Sequence, residues 1–263
     1  MVWRTGGTGE PVVLLHGGAG SWTHWVRNMG TLARHHHVLV PDMPGFGGSD
    51  RVGLKDNIDP LAWALIQGIE RLIGHQPFHL VGFSFGGLVA ARIAALAKDR
   101  VRRLILVGAS GFGLPTSLRL SLQSWRGLSE ADQAAAHAHN LRVLMLTGKI
   151  TVKTIRLQAA NAQLARLNSR PWSNQPILRD TLADLKMPLG AIWGTSDAIL
   201  NSDLEYRINI LRRCDPACPV ALIKGAGHWV AYDAPIRFTK ALLPMLTSPF
   251  PPVTRPAVRS SLQ

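Results

Sequence analysis

Three short stretches of this chain carry residues whose types and surroundings could do chemistry together. They are Gly82-Phe83-Ser84-Phe85-Gly86, Gly225-Ala226-Gly227-His228 and Gly194-Thr195-Ser196-Asp197. A serine hydroxyl is a weak nucleophile at neutral pH. It needs a base to take its proton, and the base needs a carboxylate to hold its tautomer. A serine in G-x-S-x-G between a strand and a helix is forced onto a sharp turn, with glycines where no side chain fits. Its hydroxyl then stands at the carboxyl end of the strand, near the positive end of the following helix. Here the apolar run His79-Leu80-Val81 precedes the serine, and Leu88, Ala91 and Ala95 follow it at helical spacing. Taken alone, the motif also fits a glycine-rich loop with an incidental serine, so the other residues decide.

The base belongs in a loop after a late strand, and His228 lies in such a loop before Trp229. Other histidines are placed less well. His35, His36 and His37 precede a strand and read as surface; His75 and His79 lie at the start of the nucleophile strand, the wrong end of a sheet. His137 and His139 fall in an insertion, and His24 lies near a glycine-rich loop where it could line a pocket. Asp197 follows the strand before the histidine loop. Asp203 is the alternative, but it falls where a helix begins and complements that helix dipole. Acyl transfer also needs donors aimed at the developing oxyanion. The Phe85 amide is one candidate. The second comes from His16-Gly17-Gly18-Ala19-Gly20, with Gly18 preferred and Gly17 or Ala19 as alternatives.

These residues need a scaffold. Short aliphatic runs at Val12–Leu15, Val38–Val40, the stretch ending at Phe83, Val101–Val107, Leu189–Trp193 and Val220–Ile223 read as buried strands, with one brief strand near Val2–Thr5. Helical patterns fall at Trp22–His35, Pro60–Ile73, Gly87–Lys98, Ser202–Arg213 and Pro235–Leu246. Apolar strands alternating with amphipathic helices predict an α/β protein, a mostly parallel doubly wound sheet covered on both faces. Sites on such sheets lie at the carboxyl ends of the strands. The alternation breaks between 113 and 186, which holds helical patterns such as Thr151–Leu167, ended by Asn168-Ser169-Arg170-Pro171, and no convincing strand. The expected organisation is a core of residues 1–112 and 187–247, a helical cap (lid) at 113–186, and a Pro-rich, disordered tail at 248–263.

Composition narrows the classes. Of 263 residues, 46% are hydrophobic and 17% charged, the balance of a globular protein with a sizeable core. The formal charge of +13 comes from scattered Lys and Arg without aromatic interleaving, so no nucleic-acid partner is expected. No apolar run is long enough to span a membrane, and the start lacks the core of a signal peptide. With Cys214 and Cys218 read as free thiols, the expectation is a cytoplasmic protein with no metal and no cofactor, a homodimer being left open.

From the His16–Gly20 loop to His228, the chain resembles the α/β-hydrolase superfamily. The resemblance rests on Gly82–Gly86, on the order Ser84, Asp197, His228, and on Asp42-Met43-Pro44-Gly45-Phe46-Gly47-Gly48-Ser49-Asp50, similar to that superfamily's architectural D-x-P-G-x-G-x-S turn. It implies the α/β-hydrolase fold and a serine hydrolase. Within the superfamily, His16–Gly20, Trp25, Arg27-Asn28 and Gly227-His228-Trp229 are similar to the carbon–carbon bond hydrolases of meta-cleavage products. Two departures stand against that subgroup. Phe83 replaces the Asn typical before the nucleophile, and the cap Arg that would hold a substrate carboxylate has only Arg156, out of register, with Gln158 nearer its place.

The expected reaction is therefore hydrolysis of a small carboxylic ester or related acyl bond. The pocket is expected to be framed by Gly17, Ala19, Trp22, His24, Phe83, Phe85, Arg156, Gln158 and Trp229. The rival readings are a meta-cleavage-product hydrolase and a catalytically silent fold that binds a small ligand.

Overall fold

The computed structural model describes residues 1–114, 121–200 and 203–247; the expected tail and residue 202 at the start of one expected helix lie outside them. Seven strands form one sheet in the order β1-β3-β2-β4-β5-β6-β7. They are β1 (Trp3–Gly6), β2 (Pro11–Leu15), β3 (His37–Pro41), β4 (Phe78–Phe83), β5 (Val101–Val107), β6 (Leu189–Gly194) and β7 (Val220–Ile223). Only β1 runs antiparallel, against β3; every other pairing is parallel.

The period-two alternation of strand side chains divides the interior in two. Val13, Leu15, Leu80, Leu104 and Leu106 join one apolar cluster, while Val12, Leu14, Val81, Phe83, Ile105 and Val107 join the other. Helices α1 (Met29–Leu32), α2 (Asp59–Ile73) and α3 (Phe85–Ala97) come from the first half of the chain. The segment between β5 and β6 supplies α4 (Glu130–Asn140), a π-turn at Leu141–Met145, α5 (Val152–Gln163), α6 (Arg170–Ser173) and α7 (Ile177–Leu182). Among its described residues there is no strand. The rest are α8 (Leu204–Cys214), α9 (Val230–Asp233) and α10 (Pro235–Thr247). Leucines of α2, α3 and α8 cover the first face; α1, α9 and α10 cover the second through Leu32, Val230, Phe238 and Leu242. Both faces are thus shielded, as the unbroken apolar strands require.

Several expectations differ from the structure. Trp22–His35 is a 3-10 turn, Trp22–Trp25, followed by the single-turn α1; the intervening Thr, His, Val and Asn are weak helix formers, and the fold turns His24 inward. The helix from Thr151 stops at Gln163 because the Arg166 amide donates to the Gly45 carbonyl and its guanidinium to the carbonyls of Gly47 and Ser49. Asn168–Pro171 does not end that helix but leads into α6, with Pro171 in the first turn where its missing N–H costs nothing. Within the segment expected to form the cap, α7 lays Leu178 and Leu182 into the core beside α3. His36, expected at the surface, is buried. Cys214 and Cys218 are free thiols, and burial pushes the Cys218 thiol up to about 12.

Candidate active site

Ser84 sits at the junction of β4 and α3 with φ 52° and ψ −118°. A non-glycine residue in that region costs on the order of 1–3 kcal/mol, so its surroundings must hold it there. They do so through both sides of the peptide. The Ser84 amide donates to Val107 O at 2.8 Å, and its carbonyl accepts from Gly87 N at 2.9 Å and Ser110 N at 3.2 Å. The flanking glycines are sterically required. A Cβ on Gly82 would lie 2.4 Å from Gly86 O, and one on Gly86 would lie 2.5 Å from Leu15 O.

Asp197 follows β6 and His228 follows β7, and the parallel pairing of these strands brings the two loops together. Gly194 makes the approach feasible, since a Cβ there would meet Ala226 O at 2.1 Å. His228 Nδ1 donates to Asp197 Oδ2 at 2.8 Å, while Asp197 Oδ1 accepts from the Ile199 amide at 2.8 Å. Both residues are buried. Because the carboxylate accepts the Nδ1–H hydrogen bond, the imidazole in its neutral form presents Nε2 as an acceptor. His228 and Ser84 line one cavity of about 1330 Å³ between the strand ends and the inserted helices. Among the described residues no hydrogen bond joins Ser84 Oγ to His228, a common condition of a nucleophile and base before substrate draws them together.

The glycine-rich loop after β2 is held by two uncharged histidines. His16 Nδ1 donates to Gly17 O at 2.8 Å and its Nε2 accepts from Met43 N at 3.0 Å. Burial lowers its pKa to about 4. His24 Nδ1 accepts from Gly17 N at 3.2 Å, and burial likewise keeps this ring neutral. The Gly17 amide is therefore engaged, which narrows the sequence alternatives for a second oxyanion donor to Gly18 and Ala19. Asp42, expected to be architectural, accepts from Trp22 N at 2.9 Å and Gly48 N at 3.0 Å.

Of the expected pocket residues, Gly17, Ala19, Phe83, Phe85 and Gln158 line the cavity, as does Gly18, the expected oxyanion donor. Trp22, His24, Arg156 and Trp229 do not, which corrects that part of the expectation. Trp229 is wholly buried behind the loop, donating from Nε1 to His24 O at 2.8 Å and stacking on Tyr232. His24 packs against Trp229 and Phe83, the Trp22 ring lies against the Arg4 guanidinium, and Arg156 lies on the exposed side of α5.

Several residues escaped the sequence reading. Asn161 Oδ1 ties α5 to the glycine loop through Ser21 Oγ at 2.7 Å and Thr23 Oγ1 at 3.0 Å. Ser169 stands over Gly18, so that a Cβ there would lie 2.3 Å from its Oγ. Ser110, Phe112 and Arg207 line the cavity wall. Asp233, five residues beyond His228, accepts from Gly227 N, Thr147 N, Thr147 Oγ1 and Gly148 N. Nothing in local spacing distinguishes these from ordinary polar residues.

The fold and these loops define a known class. A family profile described as alpha/beta hydrolase fold matches residues 10–185, and the chain belongs to that family. Among characterised relatives, it is 24% identical over 258 residues to the 2-hydroxy-6-oxo-6-phenylhexa-2,4-dienoate hydrolase of Burkholderia cepacia, covering 92% of this chain and 89% of that one. Among solved structures, it is similar to a putative aryl esterase from Burkholderia cenocepacia, with a TM-score of 0.77, 21% identity and 91% of each chain covered. It is also similar to a meta-cleavage product hydrolase from Pseudomonas fluorescens, with a TM-score of 0.69, 22% identity and 91% of each chain covered. No helix among the described residues is long and apolar enough to cross a membrane.

Proposed function

We propose that the protein is a serine hydrolase that cleaves a small carboxylic ester or related acyl bond through a covalent acyl-enzyme. Ser84 attacks the carbonyl carbon while His228 Nε2 takes the hydroxyl proton. Asp197 holds the imidazole tautomer and stabilises the imidazolium. The amides of Phe85 and Gly18 bind the oxyanion. His228 returns the proton to the leaving alcohol, then activates water to release the acid. The observation that carries this reading is the buried 2.8 Å pair of His228 and Asp197 facing the cavity that Ser84 enters from its elbow.

A second reading is cleavage of a carbon–carbon bond beside a ketone, favoured by the names of characterised relatives. Gln158 weighs against it. It lines the cavity, nearest the place where the similar subgroup carries an arginine, and its Nε2 donates to Ala19 O at 3.4 Å. Turnover of 4-nitrophenyl esters and of a dienoate ketone by the same preparation separates the two. Ester turnover abolished in Ser84→Ala supports the first reading, and turnover equal to wild type overturns it. The two free cysteines fit a reducing cytoplasmic setting.

A further inference from the structure

The cavity wall is unevenly charged. Among the described residues, five arginines line it, against one carboxylate, Asp203. Four of the five are exposed, and one of those, Arg166, is committed to the carbonyls of Gly47 and Ser49. Arg207 is different. It projects from α8, is only 5% exposed, and stacks over the Phe112 ring at 5.1 Å. Among the described residues, Nη1 donates to Ala109 O at 3.0 Å, while the buried Nε has no partner. The adjoining cavity residue Ser110 likewise has a buried Oγ without a partner.

A guanidinium removed from water needs a compensating anion. Asp197 acts on Arg207 through space, but its two oxygens bind His228 and Ile199 rather than the guanidinium. Asp203 also acts on Arg207 through space, less strongly than Asp197. Arg207 is also rooted close to the reaction centre. Its acceptor Ala109 precedes Ser110, whose amide holds the carbonyl of Ser84. A planar fork fixed on the scaffold at the cavity wall suits a carboxylate carried on the substrate, and it discriminates by charge in a way that an apolar pocket does not.

We propose that Arg207, with Ser110 beside it, binds an anionic group of the substrate, so that the ester hydrolysed is a carboxylate-bearing one such as the half-ester of a short diacid. This rests on the hydrolase reading above. The rival role for Arg207 is purely structural, pinning the end of β5 through Ala109.

The test compares kcat/KM for the 4-nitrophenyl half-ester of glutarate with that for 4-nitrophenyl valerate, which has the same acyl carbon count without the charge. Wild type is expected to favour the half-ester by about tenfold or more, a ratio that Arg207→Gln brings near one. Arg126→Gln, which removes an exposed guanidinium, is expected to keep most of it. A wild-type ratio near or below one overturns the proposal, as does a ratio unchanged in Arg207→Gln or lost in Arg126→Gln instead. Equal losses on both esters would assign Arg207 the structural role. Should Arg207→Gln lack a cooperative melt, Arg207→Lys keeps the charge and loses the fork; a severalfold fall in the ratio supports the proposal and an unchanged ratio overturns it. Calorimetric binding of glutarate, lost in the variant, reads the site without turnover. If neither ester is turned over and fluorophosphonate leaves Ser84 unlabelled, the hydrolase reading fails, whereas the glutarate titration still decides the anion site.

Discussion

Asp233 Oδ2 accepts the Gly227 amide at 2.8 Å, one residue before His228, and the same carboxylate holds Thr147 and Gly148 at the start of the stretch leading to α5. One side chain thereby sets the histidine loop against the inserted helical segment. The hydrogen bonds around it lower its pKa despite an opposing contribution from burial.

The first prediction follows from that carboxylate. Asp233→Ala should destabilise the protein by about 1–3 kcal/mol, since several amides lose a charged acceptor. It should also lower kcat more than it raises KM, because His228 loses its orientation. A depressed native pKa means that the contribution is present above the ordinary carboxylate value of 3.8 and is lost as pH falls through the lower native value. Urea denaturation and ester kinetics check both parts; a variant with wild-type kcat removes Asp233 from any positioning role.

Substitution within the proposed triad should act on kcat. Ser84→Ala and His228→Ala should each lower ester kcat by roughly 10³-fold or more, and Asp197→Asn by a comparable factor through the wrong imidazole tautomer. The double variant Ser84→Ala with His228→Ala should lose little beyond either single change. Losses that multiply instead would mean that the two residues do not act as a unit.

The elbow stores strain that glycine would relieve. At φ 52°, Ser84→Gly removes a penalty that Ser84→Ala retains, and the relief outweighs the greater chain entropy of glycine. Ser84→Gly should therefore be inactive yet more stable than Ser84→Ala by about 1 kcal/mol, read as a higher urea midpoint. Equal midpoints would show that the backbone relaxes at no cost.

Mild acid should weaken the fold through its buried histidines. His16 and His24 are held neutral, with His16 at about 4, and His36, His79 and His137 are shifted in the same direction by burial. The unfolded chain takes protons first, at its ordinary value near 6.5. The stability they contribute is thus complete above that pH and is lost as pH falls toward the native values. His16 alone accounts for on the order of 3 kcal/mol by pH 4. A urea midpoint unchanged between pH 7.5 and 5 would contradict this, since carboxylates scarcely titrate in that window.

Much of the scaffold was legible because it is written in local pattern. Buried parallel strands announce themselves as aliphatic runs, and β2 to β7 lie where those runs fall. The glycines around Ser84 mark a turn that no side chain could occupy, so the nucleophile candidate and its place at a strand end follow from residues adjacent in the chain. The pairing of Asp197 with His228 was also inferable, since both follow strands of one parallel sheet. What the chain order could not convey was direction. His24 and Trp229 sit beside the expected site residues in sequence, yet they turn away from the cavity to support the glycine loop from behind. Arg207 and Asp233 look like ordinary charges on helices α8 and α9, and only packing makes one a buried cation at the cavity wall and the other a clamp on the histidine loop. Those assignments depend on contacts between residues distant in sequence, such as Arg207 with Ala109 and Asp233 with Thr147. Local propensity carries no information about them. The sequence by itself determined the sheet, the elbow and the candidate reacting atoms; the tertiary structure decided which side chains face the substrate.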